Sequence, residues 1–265
     1  MDRTYWHKQT PDQPLFPDLL WSRPENKRQA GKLLIIGGNA HGFSAPAEAF
    51  AAAEKSGIGT ARVLLPSSLQ KTVGRILEAG EYAPSTPSGS FSQRALAEFL
   101  EMAQWADATL LAGDFGRNSE TAILLEQFLA KHSGQLALTQ DAADYFTKAP
   151  TTLLARSDTL LTLSFAQLQK LAVSARFASP FTFDMDFLQL IEGLHQFTAE
   201  HQIALIMKHL QTIYVAVKGQ VSTTQLNEDI DIWRVDTAAR AAVWWLQNYA
   251  KPFEAISTGI IEAGR

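Results

Sequence analysis

Short apolar runs alternate with longer amphipathic stretches along this chain, and that alternation restricts the fold more than any other feature. The runs lie at residues 32–37, 60–65, 108–112, 135–139, 159–163 and 203–207. Each is too short for a core helix and mostly apolar, the pattern of a strand buried on both faces. Between them, residues 45–55, 67–77, 93–104, 119–132, 165–172 and 185–201 carry helical spacing of apolar positions. Parallel strands need crossovers of a dozen or more residues. Strand–helix alternation therefore predicts an α/β fold whose mostly parallel sheet is covered on both faces. After Met207 the pattern changes. Residues 212–218 and 220–224 flank Gly219 and predict a hairpin, followed by helices over 237–248 and 252–262.

Residues 1–31 read differently from the body at 32–265. Pro11, Pro14, Pro17 and Pro24 interrupt them, and Trp6, Phe16, Leu19, Leu20 and Trp21 can anchor them as an arm on the domain. Residues 79–90, rich in Pro, Ser and Gly, fit either a mobile flap or a surface connection. Apolar residues make up 46% of the chain, enough for a sizeable core, and the formal net charge is −4. Such a surface does not favour nucleic acid or anionic lipid. Cysteine is absent, so thiolate metal sites and Cys nucleophiles are excluded. Residues 1–20 lack the apolar core of a signal peptide, and no run reaches membrane-spanning length. The expectation is a cytoplasmic protein without a membrane or nucleic-acid partner. His195 and His201 lie too far apart to share a helix face, so no transition-metal site is expected. The adjacent Trp244 and Trp245 diverge on a helix. One is expected in the core and the other partly buried or at a homo-oligomer contact.

In open parallel sheets, ligands bind beyond the carboxyl ends of the strands. Those ends carry Gly37-Gly38-Asn39, Gly113-Asp114-Phe115-Gly116, Asp141, Ser164 and Lys208-His209. Asn26-Lys27-Arg28-Gln29-Ala30-Gly31, then Gly37-Gly38-Asn39 with Ser44-Ala45-Pro46, then Ala53 to Gly59 before a strand ending at Pro66, follow one another at a characteristic spacing. In these blocks the chain resembles the ADP/ATP-dependent NAD(P)H-hydrate dehydratases of the ribokinase-like superfamily. There the blocks read H-K-G-x-x-G, G-G-S with G-A-P, and A-x-x-x-G-x-G. Later blocks match less well. Ala112 to Arg117 stands where the family has G-P-G-L-G-R, and Asp141 keeps the second Asp of D-A-D. Ser164-Phe165-Ala166-Gln167 lacks the His and Glu of H-x-G-E. Lys208 matches V-x-K-G, and Trp233-Arg234-Val235-Asp236 keeps only the Asp of G-T-G-D.

The resemblance implies a three-layer α/β/α sandwich and repair of hydrated NAD(P)H by phosphorylation and phosphate elimination. ADP or ATP with Mg²⁺ would serve as cofactor. Asp236 would be the general base, or alternatively only a helix N-cap. Lys27, Gly31, Gly38, Asn39, Ala45, Pro46, Gly113, Gly116 and Asp141 would border the substrate, although Gly113 and Gly116 also suit an ordinary turn before a helix capped by Asn118 or Ser119. Lys208 and Arg234 would meet phosphate, or else be a strand-end lysine and a solvated charge. The missing residues leave two alternatives: an inactive nucleotide-binding pseudoenzyme, or a ribokinase-like kinase of another small molecule.

Overall fold

The computed structural model describes residues 4–226 and 233–261, so residue 262, expected in the last helix, lies outside them. The strands are β1 (Trp6–Gln9), β2 (Lys32–Gly37), β3 (Thr60–Pro66), β4 (Gly80–Ala83), β5 (Ala108–Gly113), β6 (Gln135–Thr139), β7 (Thr159–Leu163), β8 (Ala204–His209), β9 (Thr212–Val217) and β10 (Gln220–Gln225). They form one sheet in the order β1-β10-β9-β8-β7-β6-β5-β2-β3-β4. From β4 to β8 every neighbouring pair is parallel. β9 is antiparallel to both β8 and β10, and β1 runs parallel to β10.

The helices are α1 (Pro17–Trp21), α2 (Ser44–Lys55), α3 (Gln70–Val73), α4 (Leu96–Trp105), α5 (Ser119–Lys131), α6 (Gln140–Phe146), α7 (Thr151–Leu154), α8 (Phe165–Ser174), α9 (Phe187–Glu200), α10 (Arg234–Gln247) and α11 (Pro252–Ile261). Side chains alternate across the strands. Leu34 and Ile36 of β2 therefore join one core with Phe99 of α4, Phe128 of α5, Leu168 of α8 and Phe197 of α9. Leu33 and Ile35 join the other with Ala49 of α2, Ala238 and Trp244 of α10, and Ile256 of α11. This is the expected α/β/α sandwich.

Four local features depart from the sequence reading. The arm does more than lie on the domain, because β1 adds an edge strand and Gln9 donates from Nε2 to Thr224 Oγ1 at 2.8 Å and to Ser257 O at 2.7 Å. Residues 79–90 contain β4, and their tip is tied down rather than free. Gly89 O accepts from Ala40 N at 3.0 Å and from Ser68 Oγ at 2.8 Å. The helix expected over 67–77 is reduced to a 3₁₀ turn and the short α3, which stops at Gly74. Trp244 and Trp245 are both buried, where the second was expected to be partly buried or at a homo-oligomer contact. Among the described residues no helix is long and apolar enough to cross a membrane.

Candidate functional site

All the parallel strands end on one edge, and the loops leaving β2 and β5 are knitted together there. Gly38 N donates to Gly113 O at 3.0 Å, and Asn39 Nδ2 donates to Asp114 O at 2.6 Å. Asp114 adopts φ 60°, a left-handed conformation that Asp tolerates better than most residues. The turn carries its carboxylate to the start of α2. There Oδ2 accepts from Ala45 N at 2.8 Å and Ser44 Oγ at 3.2 Å. The α2 cap residue, Phe43, supplies no side-chain bond, so Asp114 caps this helix from another loop. An anion-binding helix start next to Ala45 and Pro46 is already filled by the protein's own carboxylate.

Asp141 opens α6 beside this loop. Its Oδ2 accepts from Gly116 N at 3.0 Å, and the Tyr145 hydroxyl donates to Gly116 O. Gly113 has φ 121°, and a Cβ there would lie 2.6 Å from Gln140 Cβ and 3.3 Å from Asp141 Oδ1. Only glycine allows the two strand ends to approach so closely. Burial raises the Asp141 carboxyl above the usual carboxylate range. The Gly116 and Phe115 N–H groups oppose that shift, and the charges of Asp114 and Asp144 add to it. Asp141 Oδ1 is shielded from solvent and has no hydrogen-bond partner among the described residues.

Gln167 connects α6, α8 and α10. Its Nε2 donates to Gln140 O at 2.8 Å and Asp144 Oδ1 at 3.0 Å, while its Oε1 accepts from Ser164 N at 3.0 Å in a capping box. Arg234 Nη1 donates to the same Oε1 at 3.0 Å. Burial lowers the Arg234 pKa below its ordinary value, opposed by the nearby charges of Asp144 and Asp141.

The start of α10 is where the structure departs most from the expected site. The helix begins at Arg234 with Trp233 as N-cap, so Asp236 lies inside the first turn and is not the cap. Residues two apart on a helix point about 200° apart. Arg234 turns towards Gln167, and Asp236 turns elsewhere, pairing through Oδ2 with Arg240 Nε at 2.6 Å. Trp233 and Val235 stand at the glycine positions of G-T-G-D, and Val235 is buried. Their side chains deny the close backbone approach that a transferring phosphate needs. A phosphoryl group with Mg²⁺ does not fit this helix start.

The structure brings together Gly38, Asn39, Ala45, Pro46, Gly113, Gly116 and Asp141. It separates Lys27 and Gly31 from them. Those two precede β2, at the opposite edge of the sheet. The six residues of β2 span about 20 Å at ~3.3 Å each. Gly31, at φ 80°, packs under Leu246 near the far end of α10, where its added Cβ would fall 2.2 Å from Leu246 Cδ1. Lys208 sits at the carboxyl end of β8. It shares the strand face of Ala204 and Ile206, which pack in the α10 core. Asn118 caps α5, accepting from Glu120 N at 2.9 Å and Thr121 N at 3.3 Å. Sequence reading missed Asp144, Tyr145 and the capping role of Asp114. The recurrence of Asp141, Asp144 and Tyr145 within one helical turn and the next residue was the available signal.

No family model matches the chain. A ribokinase-like superfamily protein of Enterococcus faecalis V583 superposes with TM-score 0.75 at 14% identity, covering 100% of this chain and 88% of its own. The chain has the ribokinase-like fold. The ADP/ATP-dependent NAD(P)H-hydrate dehydratase of Bacillus subtilis, co-crystallised with ATP and Mg²⁺, has the same fold. It superposes with TM-score 0.65 at 13% identity over 95% of this chain and 87% of its own. In sequence, 97 residues are 33% identical to the bifunctional NAD(P)H-hydrate repair enzyme of Methanothermobacter thermautotrophicus. That stretch is 37% of this chain and 18% of the relative's length.

Proposed function

We propose that this chain is a nucleotide-binding, cytoplasmic relative of the NAD(P)H-hydrate dehydratases that has lost ADP/ATP-dependent dehydration. The observation that carries this reading is the start of α10: Arg234 bonds Gln167 while Asp236 pairs with Arg240. Removing a preorganised donor from a developing charge costs about 10²–10³ in rate. Losing a positioned general base costs about 10²–10⁴ more. Together they place turnover at least about 10⁴-fold below that of a complete site. The same two losses weigh against a kinase of another small molecule, which needs the same phosphate cradle and base. Nucleotide binding is supported by the loops of Gly38, Asn39, Gly113 and Gly116, which are hydrogen-bonded together at the carboxyl edge.

The test is to incubate the protein with hydrated NADH, Mg²⁺ and ADP or ATP while following NADH absorbance. The expected result is no nucleotide-dependent recovery, together with calorimetrically detectable binding of NADPH or ADP. Nucleotide-dependent recovery overturns the loss of catalysis. Failure of NADPH, ADP and ATP all to bind overturns the nucleotide reading.

A further inference from the structure

Beside this site lies a cavity of about 1170 Å³, between α6, α8 and the loop after β5. Asp141, Asp144 and Tyr145 border it on the α6 side, and Val173 lies exposed on the α8 side. Arg117, Lys148 and Lys170 also line it, each from a different element, and all three are exposed. None of the three has an ion-pair partner among the described residues. The chain as a whole carries four more acidic than basic side chains. Three cations against two carboxylates, Asp141 and Asp144, leave this concavity net positive, unlike the surface as a whole.

Exposed cations from three elements lose mutual repulsion when a multiply charged anion enters between them. Guanidinium and ammonium groups hydrogen-bond phosphate oxygens strongly. Asp144, exposed on the same wall, is an acceptor suited to hydroxyl or amide N–H donors. Tyr145 and Val173 supply apolar wall. The volume lies at the upper end of ligand pockets and exceeds what a lone phosphate needs.

We propose that this cavity holds the diphosphate of a nucleotide between Arg117, Lys148 and Lys170, with hydroxyl or amide donors of the same ligand turned towards Asp144. The inference rests on the nucleotide-binding reading above. It adds which side chains select the ligand and places the diphosphate away from the α10 start.

The test is calorimetric titration of the full chain with ADP, NADPH and inorganic pyrophosphate. It compares the wild type with Lys148→Ala/Lys170→Ala and with a control, Lys55→Ala/Lys131→Ala, whose lysines lie away from the cavity. The substituted lysines are exposed, so circular dichroism melts are expected to stay unchanged. Wild type is expected to bind ADP and pyrophosphate, the cavity variant about tenfold or more weakly, and the control within twofold of wild type. Equal affinity of wild type and cavity variant for ADP overturns the cavity assignment and leaves the nucleotide reading standing. Absence of binding by ADP, NADPH and pyrophosphate alike overturns both.

Discussion

Substitution of Asp114 tests the architecture of the carboxyl edge, because two effects separate cleanly there. Its carboxylate accepts the Ala45 N–H at 2.8 Å and the Ser44 hydroxyl at 3.2 Å at the start of α2. Losing a helix cap costs about 1 kcal/mol, and the lost charge–dipole attraction adds about 0.3–1 kcal/mol. Asp114 also holds φ 60°. Alanine in that conformation costs about 1–2 kcal/mol, whereas glycine does not resist it. Asp114→Ala is therefore expected to lose about 2–4 kcal/mol and Asp114→Gly about 1–2 kcal/mol. In a chain of this size each kcal/mol moves the melting temperature about 2–4 °C. The alanine variant should melt roughly 4–16 °C below wild type, and clearly below the glycine variant. Thermal and urea unfolding followed by circular dichroism measure both. Equal melting of the two variants, or an alanine variant indistinguishable from wild type, would refute the assignment of Asp114 as the α2 cap in this backbone conformation.

Other expectations follow from neighbouring groups. Burial, with Asp114 and Asp144 nearby, raises the folded-state pKa of Asp141. Its favourable contribution is full below the ordinary carboxylate range near pH 4 and is lost as pH rises through the raised value. The unfolding free energy of wild type minus that of Asp141→Asn should thus fall as the pH increases from about 4 to 7; urea titrations showing a flat or rising difference would contradict it. At the opposite edge, Gly31→Ala should lower stability by about 1–3 kcal/mol through its φ of 80° and the contact with Leu246, leaving NADPH affinity unchanged in calorimetry. A large loss of affinity in that folded variant would return Gly31 to the ligand site. Releasing Asp236 with Arg240→Ala removes a largely buried guanidinium and should cost about 1–3 kcal/mol in urea unfolding, and it should not restore dehydration.

How much was legible in the sequence follows from how each element earns its burial. The central strands were visible because runs such as Leu33 to Ile36 are apolar on both faces. β1 was not, because Trp6-His7-Lys8-Gln9 has no apolar run and is held by backbone pairing to β10 and by Gln9. β4, Gly80 to Ala83, hides in the same way at the other edge of the sheet. The cluster of Gly38, Asn39, Gly113, Gly116 and Asp141 was legible because strand ends in a parallel sheet converge on one edge. Lys27 and Gly31 lie apart from that cluster, before β2, and motif spacing does not say which end of a strand a residue occupies. The surroundings of Asp236 depended on helix phase: α10 starts at Arg234, three residues before the expected start at Thr237. That start directs Arg234 towards Gln167 and Asp236 to Arg240. The cations of the cavity were out of reach, since Arg117, Lys148 and Lys170 lie on three elements that only the tertiary fold brings together.

The most direct test of the central claim is a crystal structure of the protein soaked with ADP and Mg²⁺. Phosphate density against Arg117, Lys148 and Lys170, with Arg234 still bonded to Gln167, is the predicted result. Phosphate at the backbone N–H groups of Arg234 to Asp236, with the Asp236–Arg240 pair opened, would contradict it and restore α10 as a catalytic helix start.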